Sequence, residues 1–145
     1  MSFKWDRVHV WSGDITDQPG GAAAKLAFLA QAGANLEFIL TRRAADKPGT
    51  GILFVAPLTG PGQVRAARAA GLAETQDPVL LRVEGDNQAG LAHKVTQQWA
   101  LAGISLQGLT MCVLDNKFVG YAAFDTVADS NRAAAILGDL SAAGS

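Results

Sequence analysis

Apolar and polar residues alternate along Val8-His9-Val10-Trp11-Ser12, the two-residue period of a half-buried strand, and the alternation stops at Gly13. A polar loop from Asp14 to Pro19 follows. Leu26, Leu29 and the alanines around them then recur at helical spacing as far as Gly33, a residue type that commonly closes a helix. Asn35 to Thr41 reads as the next strand. Arg42 to Gly49, which contains Lys47-Pro48-Gly49, reads as a polar hairpin loop, and Gly51 to Ala56 as the returning strand. Pro61 suits the first turn of an Ala-rich helix that runs through Val64 to Ala70 and stops at Gly71.

Leu72 to Pro78 is the expected boundary, with a short edge strand at Ala73-Glu74-Thr75. Val79 to Val83 is a strand, and Gly90 to Ala102 a helix carrying Val95, Trp99 and Leu101. Ser105 to Leu114 and Phe118 to Phe124 form a hairpin around Asp115-Asn116-Lys117. Asp129 or Ser130 is the expected cap of a last helix reaching about Leu137. The small, polar tail from Ser141 to Ser145 is expected to fray. No full fourth strand is evident in this second half.

The two halves repeat each other. Asp17-Gln18-Pro19-Gly20-Gly21 leads into Ala32-Gly33-Ala34-Asn35-Leu36. Seventy positions on, without a gap, Asn87-Gln88-Ala89-Gly90-Leu91 leads into Ala102-Gly103-Ile104-Ser105-Leu106. Solenoid units span roughly 20–50 residues, so a repeat of this length is better read as two copies of a small domain. Each copy reads β-α-β-β-α, which fits the split β-α-β order of a ferredoxin-like sandwich. The fold expected is α+β: two βαββαβ-type repeats, residues 1–75 and 76–145, with antiparallel sheets and helices on one face. Each repeat alone buries little surface, so the two are expected to join side by side into one continuous sheet.

Composition removes several functions. Lysine and arginine number 12 against 13 acids in 145 residues, with both signs mixed, so no basic patch is available to follow a phosphate backbone; nucleic acid is not an expected partner. The start lacks the apolar run of a secretory signal, and no stretch is long enough to span a bilayer, which predicts a cytoplasmic protein with no membrane partner. Cys112 cannot form an internal disulfide, fits a reducing compartment, and reads as a small buried hydrophobe. His9 and His93 have no cysteine or second histidine at metal-ligand spacing, and no Ser/His/acid set presents itself. Thr59-Gly60-Pro61-Gly62 lacks the Lys-Ser/Thr of a phosphate loop. No catalytic residue, metal or cofactor is expected. Trp5, Trp11 and Trp99 read as packing anchors; if Trp11 and His9 face away from the helices, a second chain would cover them.

The paired motifs resemble the ACT domain, a ferredoxin-like module that binds amino acids and regulates metabolic enzymes. Its pattern is an acidic or Asn residue two before Pro-Gly, then a helix, then Gly-x-Asn before the second strand. Asp17-Gln18-Pro19-Gly20 and Gly33-Ala34-Asn35 fit it well. Asn87-Gln88-Ala89-Gly90 and Gly103-Ile104-Ser105 fit less fully, because Ala89 replaces Pro and Ser105 replaces Asn. The resemblance covers about Val8 to Leu137 and implies a stand-alone tandem ACT protein.

The start of a helix supplies N–H groups with no partner inside the helix, together with partial positive charge, so a ligand carboxylate is stabilised there. The expected donors are Gly20, Gly21 and Ala22 in the first copy and Gly90, Leu91 and Ala92 in the second. Asp17 can hold an ammonium group by charge, whereas Asn87 offers only an amide oxygen. The resemblance implies pairing through second strands, with the ligand between one repeat's loop and the start of the other's second strand. Inside the chain, Asp17 and Gln18 would then face Ser105, while Asn87 and Gln88 would face Asn35, a pair of Asn side chains suited to a small polar amino acid. The same features also have plainer uses, since a Pro-Gly turn opens many helices and glycine closes many. The expected function is an amino-acid-binding sensor, homo-oligomeric, acting on an enzyme partner. The alternative is a constitutive dimerisation module for a metabolic enzyme, without a ligand.

Overall fold

The computed structural model describes residues 2–143; Met1, Gly144 and Ser145 lie outside them. In chain order the elements are β1 (Phe3–Thr16), α1 (Gly21–Gln31), β2 (Phe38–Arg43), β3 (Thr50–Ala56), α2 (Gly60–Ala69), β4 (Ala73–Asp86), α3 (Leu91–Leu101), β5 (Gly108–Leu114), β6 (Lys117–Phe124) and α4 (Val127–Ala143). They divide into two compact units. One is His9–Gln76, and the other joins residues 2–8 to residues 77–143.

Each unit is an α+β sandwich of ferredoxin-like type. In the first, the strand order is β2-β3-β1-β4; in the second it is β1-β4-β6-β5. The fourth strand of each order comes from the other repeat's first strand. Residues 73–76 open β4 as the last strand of the first unit, and residues 3–8 of β1 supply the last strand of the second. The fourth strand that the second half lacks is therefore at the start of the chain. This is also why β1 extends well before Val8, and why β4 runs unbroken through the expected boundary.

Two cores follow from the alternation. In the first unit Trp11, Leu53 and Val55 point from the sheet towards Leu29 of α1 and Ala67 of α2, with Ala70 and Leu72 closing the end. Small alanines let α1 and α2 approach one another and the sheet. Trp11, at 6% exposure, therefore lies under the helices and not on the open face. The second core is built from larger residues: Phe3, Leu81, Val83, Phe118, Ala122 and Phe124 against Val95, Trp99, Ala133 and Leu137. Trp99 stacks edge-on against Phe124 at 5.3 Å, and its indole N–H donates to the Ala133 carbonyl at 3.1 Å, so its one polar atom is satisfied inside the core.

Four further expectations change. β2 begins at Phe38, because Glu37 N–H turns back to the Ala56 carbonyl (2.9 Å) and Asn35 precedes the ladder. The last helix is capped by Thr126, whose hydroxyl accepts from Asp129 N–H at 3.0 Å. That helix continues to Ala143; Ser141 is held in it and accepts from Phe3 N–H at 3.0 Å. The remainder of the expected frayed tail lies outside the described residues. Cys112 is exposed, because β5 is an edge strand open to solvent along nearly its whole length. Among the described residues no helix is long and apolar enough to cross a membrane.

Candidate ligand-binding crevice

The loop before α1 is built by three backbone bonds. Asp17 N–H donates to the Gly49 carbonyl (3.0 Å), tying the loop to the β2–β3 hairpin. Gly21 N–H donates to the Gln18 carbonyl (3.1 Å), and Ala24 N–H to the Gly20 carbonyl (3.0 Å). The loop before α3 makes the same three: Asn87 to Asn116 (2.8 Å), Leu91 to Gln88 (3.3 Å) and Lys94 to Gly90 (3.0 Å). Gly20 and Gly90 occupy the N-cap positions with φ of 87° and 80°, a left-handed conformation that side chains disfavour. Neither helix start has a side-chain cap.

These bonds revise the donor set. The N–H groups of Gly21 and Leu91 are already committed to carbonyls of their own loops. The N–H groups left without an acceptor by helix geometry are those of Ala22 and Ala23 in α1, and of Ala92 and His93 in α3.

A crevice of about 670 Å³ opens at the first loop. Asp17, Gln18, Gly20, Gly21, Ala22 and Ala23 form one wall, and Thr41, Arg42 and Arg43 at the end of β2 form the other. Asp17 is paired across it with Arg43, Nε to Oδ2 2.9 Å. The Arg42 guanidinium lies over the Phe54 ring, 5.6 Å from its centroid. At its apolar end, Ile15 lies beside Gly51. Arg43 had no place in the sequence reading, since it lies in what reads as a hairpin loop. Only the β2–β3 register, which sets Arg43 opposite Gly51, brings it to the site.

The second loop is built differently. Leu91 stands where the first copy has Gly21, and its side chain is 3% exposed in the second core. Asn87, Gln88 and Gly90 are exposed. A crevice of about 540 Å³ in this unit is lined by Lys4, Glu84, Asp86, Asp115, Lys117 and Phe118 among others, and does not include the loop.

Asn35 and Ser105 are exposed and stand before the start of β2 and β5. The loops lie at the other end of those strands. Five strand steps separate Phe38 from Arg43, about 17 Å at 3.3–3.4 Å per residue, so neither residue reaches the loop of its own repeat. The expected second-strand pairing inside the chain is also absent. β2 ends its strand order beside β3, and β5 ends its own beside β6. Both second strands are edges; the exchanged first strands sit at the other end of each strand order, beside β1 in the first unit and beside β4 in the second.

Comparison with solved structures decides the fold. Protein BT0572 from Bacteroides thetaiotaomicron matches at TM-score 0.74 with 15% identity, over 92% of this chain and 88% of that one. The ligand-free regulatory subunit of aspartate kinase from Thermus thermophilus matches at 0.61 with 17% identity, over 92% and 94%. That from Thermus flavus matches at 0.59 with 18% identity, over 94% and 97%. The chain has the tandem ACT fold. No known family profile and no curated protein matches the sequence. In ACT terms the crevice belongs to the first repeat, at the junction of its first loop, its first helix and the far end of its second strand.

Proposed function

We propose that this tandem ACT protein is a non-catalytic sensor that binds a small amino acid at the crevice of the first repeat and passes the binding on to an enzyme partner. The observation that carries this reading is the crevice itself. It places free helix-start N–H groups, the Asp17 carboxylate and the Arg43 guanidinium within one open crevice, roomy enough for an amino acid. A carboxylate is favoured at the N–H groups and an ammonium group at Asp17. Regulatory subunits of aspartate kinase share the fold, which supports a regulatory role with an enzyme as the regulated partner. Binding that favours one packing of the repeats over another would be read by a partner that distinguishes them.

The site is completed by a second copy of the chain. A neighbouring β2 running antiparallel along the exposed β2 edge would bring its Asn35 to the Arg43 end of the strand, and so to the crevice. Ile39 and Leu40, 51% and 41% exposed, would be covered in that pairing. The second repeat, with Asn87, Gln88 and Gly90 at its loop and Ser105 before its second strand, has the weaker claim to a ligand because Asn87 and Val113 stand where the first has Asp17 and Arg43.

Thermal melting against the twenty common amino acids tests the reading. A ligand at one hundred times its dissociation constant stabilises the native state by about 2.7 kcal/mol, a readable rise in Tm. Asp17→Ala should abolish the rise. An unmoved Tm with all twenty would leave the constitutive interaction module, to which the exposed apolar edge of β5 (Leu109, Val113 and Leu114) is suited.

A further inference from the structure

Arg43 and Asp17 belong to elements 26 residues apart in sequence (43 − 17), yet they meet over the mouth of the first crevice. The register explains why. Ile39 and Thr41 of β2 stand opposite Val55 and Leu53, whose side chains enter the core beneath α1 and α2. Directly opposed residues share a face and alternate residues repeat it, so Arg43 points to the side on which α1 begins. The pair is exposed, 85% for the Arg43 side chain and 34% for Asp17, and an exposed ion pair contributes little to stability. Opening it is correspondingly easy.

We infer that this ion pair is exchanged for the ligand, and that Arg43 is a binding and specificity-determining residue: the crevice takes a zwitterion, its ammonium group on Asp17 and its carboxylate on Arg43 and the Ala22 and Ala23 N–H groups. This rests on the amino-acid reading above and adds to it the charge pattern that the ligand must carry. A ligand with both charges leaves neither member of the pair alone. A simple carboxylate that takes Arg43 strands the Asp17 carboxylate beside a like charge, and a simple amine on Asp17 does the same to the guanidinium. Selection therefore comes from repulsion as much as from attraction. Arg43 adds a geometric requirement, since its planar fork matches a carboxylate in a way that an ammonium group does not.

The same comparison gives the stoichiometry. Seventy positions on, Asn87 replaces Asp17 and Val113 replaces Arg43, so neither charge of the pair is present at the matching positions, and the crevice described in that unit does not include the loop. One zwitterion binds per chain.

Isothermal titration of the full chain with each of the twenty common amino acids tests this, followed by the N-acetyl and carboxamide derivatives of those that bind. The expected result is one site per chain, with both blocked derivatives weakened about tenfold or more, as is Arg43→Ala, the loss typical of a hydrogen bond to a charged group. Arg43→Lys should fall between. Because Arg43 is exposed, ligand-free melting of the variants should match the parent and so confirm their fold. Binding to Arg43→Ala that is equal or tighter would show that Arg43 only competes for Asp17, and would overturn the inference while leaving the amino-acid reading intact. Equal binding of either blocked derivative, or two sites per chain, would overturn it as well. If none of the twenty binds the parent protein, the amino-acid reading fails, and the inference fails with it.

Discussion

Gly21 has no room for a side chain. A Cβ built there lies 2.1 Å from the Thr16 carbonyl oxygen, a backbone atom that cannot swing aside. Gly21→Ala should therefore cost about 1–3 kcal/mol, the usual range for overpacking a tight site, and should lower Tm in a melting experiment. Where β4 ends against the start of β6 a different residue can be checked. Lys117 donates a hydrogen bond to Asp86 and holds its carboxyl below the ordinary carboxylate value. A group depressed in this way stabilises the fold above its unfolded pKa, and the contribution is lost as pH falls through its folded value. The pair is thus intact at neutral pH and is lost only on acidification. An NMR titration should show a low Asp86 midpoint that rises in Lys117→Ala. Residues of this kind were unevenly legible in the sequence. Asp17, Gln18 and Gly20, which line the crevice, could be singled out because Gln88 and Gly90 repeat two of them and Asn87 stands in for Asp17. Arg43 could not, since its second-repeat counterpart is Val113 and its role depends on a strand register.

At the scale of elements, the exchange of first strands makes a sharp prediction. Phe3 is 6% exposed and meets Phe118 edge-on at 6.0 Å, although it lies outside the repeat that it supports. Phe3→Ala should cost about 3–5 kcal/mol, as aromatic truncations in cores do. Hydrogen exchange would locate the damage: faster exchange is expected in β6 and in β4 from Val79 onward, with β3 little changed. Equal loss in both units would contradict the exchange. The order of helices and strands was legible because each has a clear period and a glycine at its end. The exchanged strand was not, because Phe3-Lys4-Trp5 reads only as a short alternation with no sign of which sheet it joins. At the expected boundary, Leu72 to Pro78, the two units do divide, after Gln76, but the division falls inside the continuous strand β4 and not in a linker.

For the whole molecule, the open edges of β2 and β5 are the main unsettled surfaces, and exposed edges invite pairing. Sedimentation velocity should show a dimer that dissociates on dilution. Ile39→Lys, a charge on the β2 edge, should leave monomer and weaken amino-acid binding, while melting of the isolated chain stays unchanged. A monomer at every concentration would remove the second copy from the site. The side-by-side use of second strands, implied by family resemblance, was read from the sequence as an event inside one chain. It is not one: β2 pairs with β3 and β5 with β6, and the two second strands do not pair with each other.

The bond from Phe3 N–H to the Ser141 hydroxyl joins residues 138 positions apart. On the ribosome, residues 3–8 emerge before the rest of their unit and must wait until residues 77–143 have been made before their partners exist. The first unit meets no such delay, since residues 73–76 follow directly on α2. Synthesis therefore imposes an order: the half that carries the crevice can close early, and the other half is locked last, by a segment made well before it. Contacts this distant in sequence are slow to form. A protein stalled or truncated near Ala143 would carry a finished first-unit crevice on an unfinished body, a form that quality-control proteases would recognise by its unpaired β4 edge.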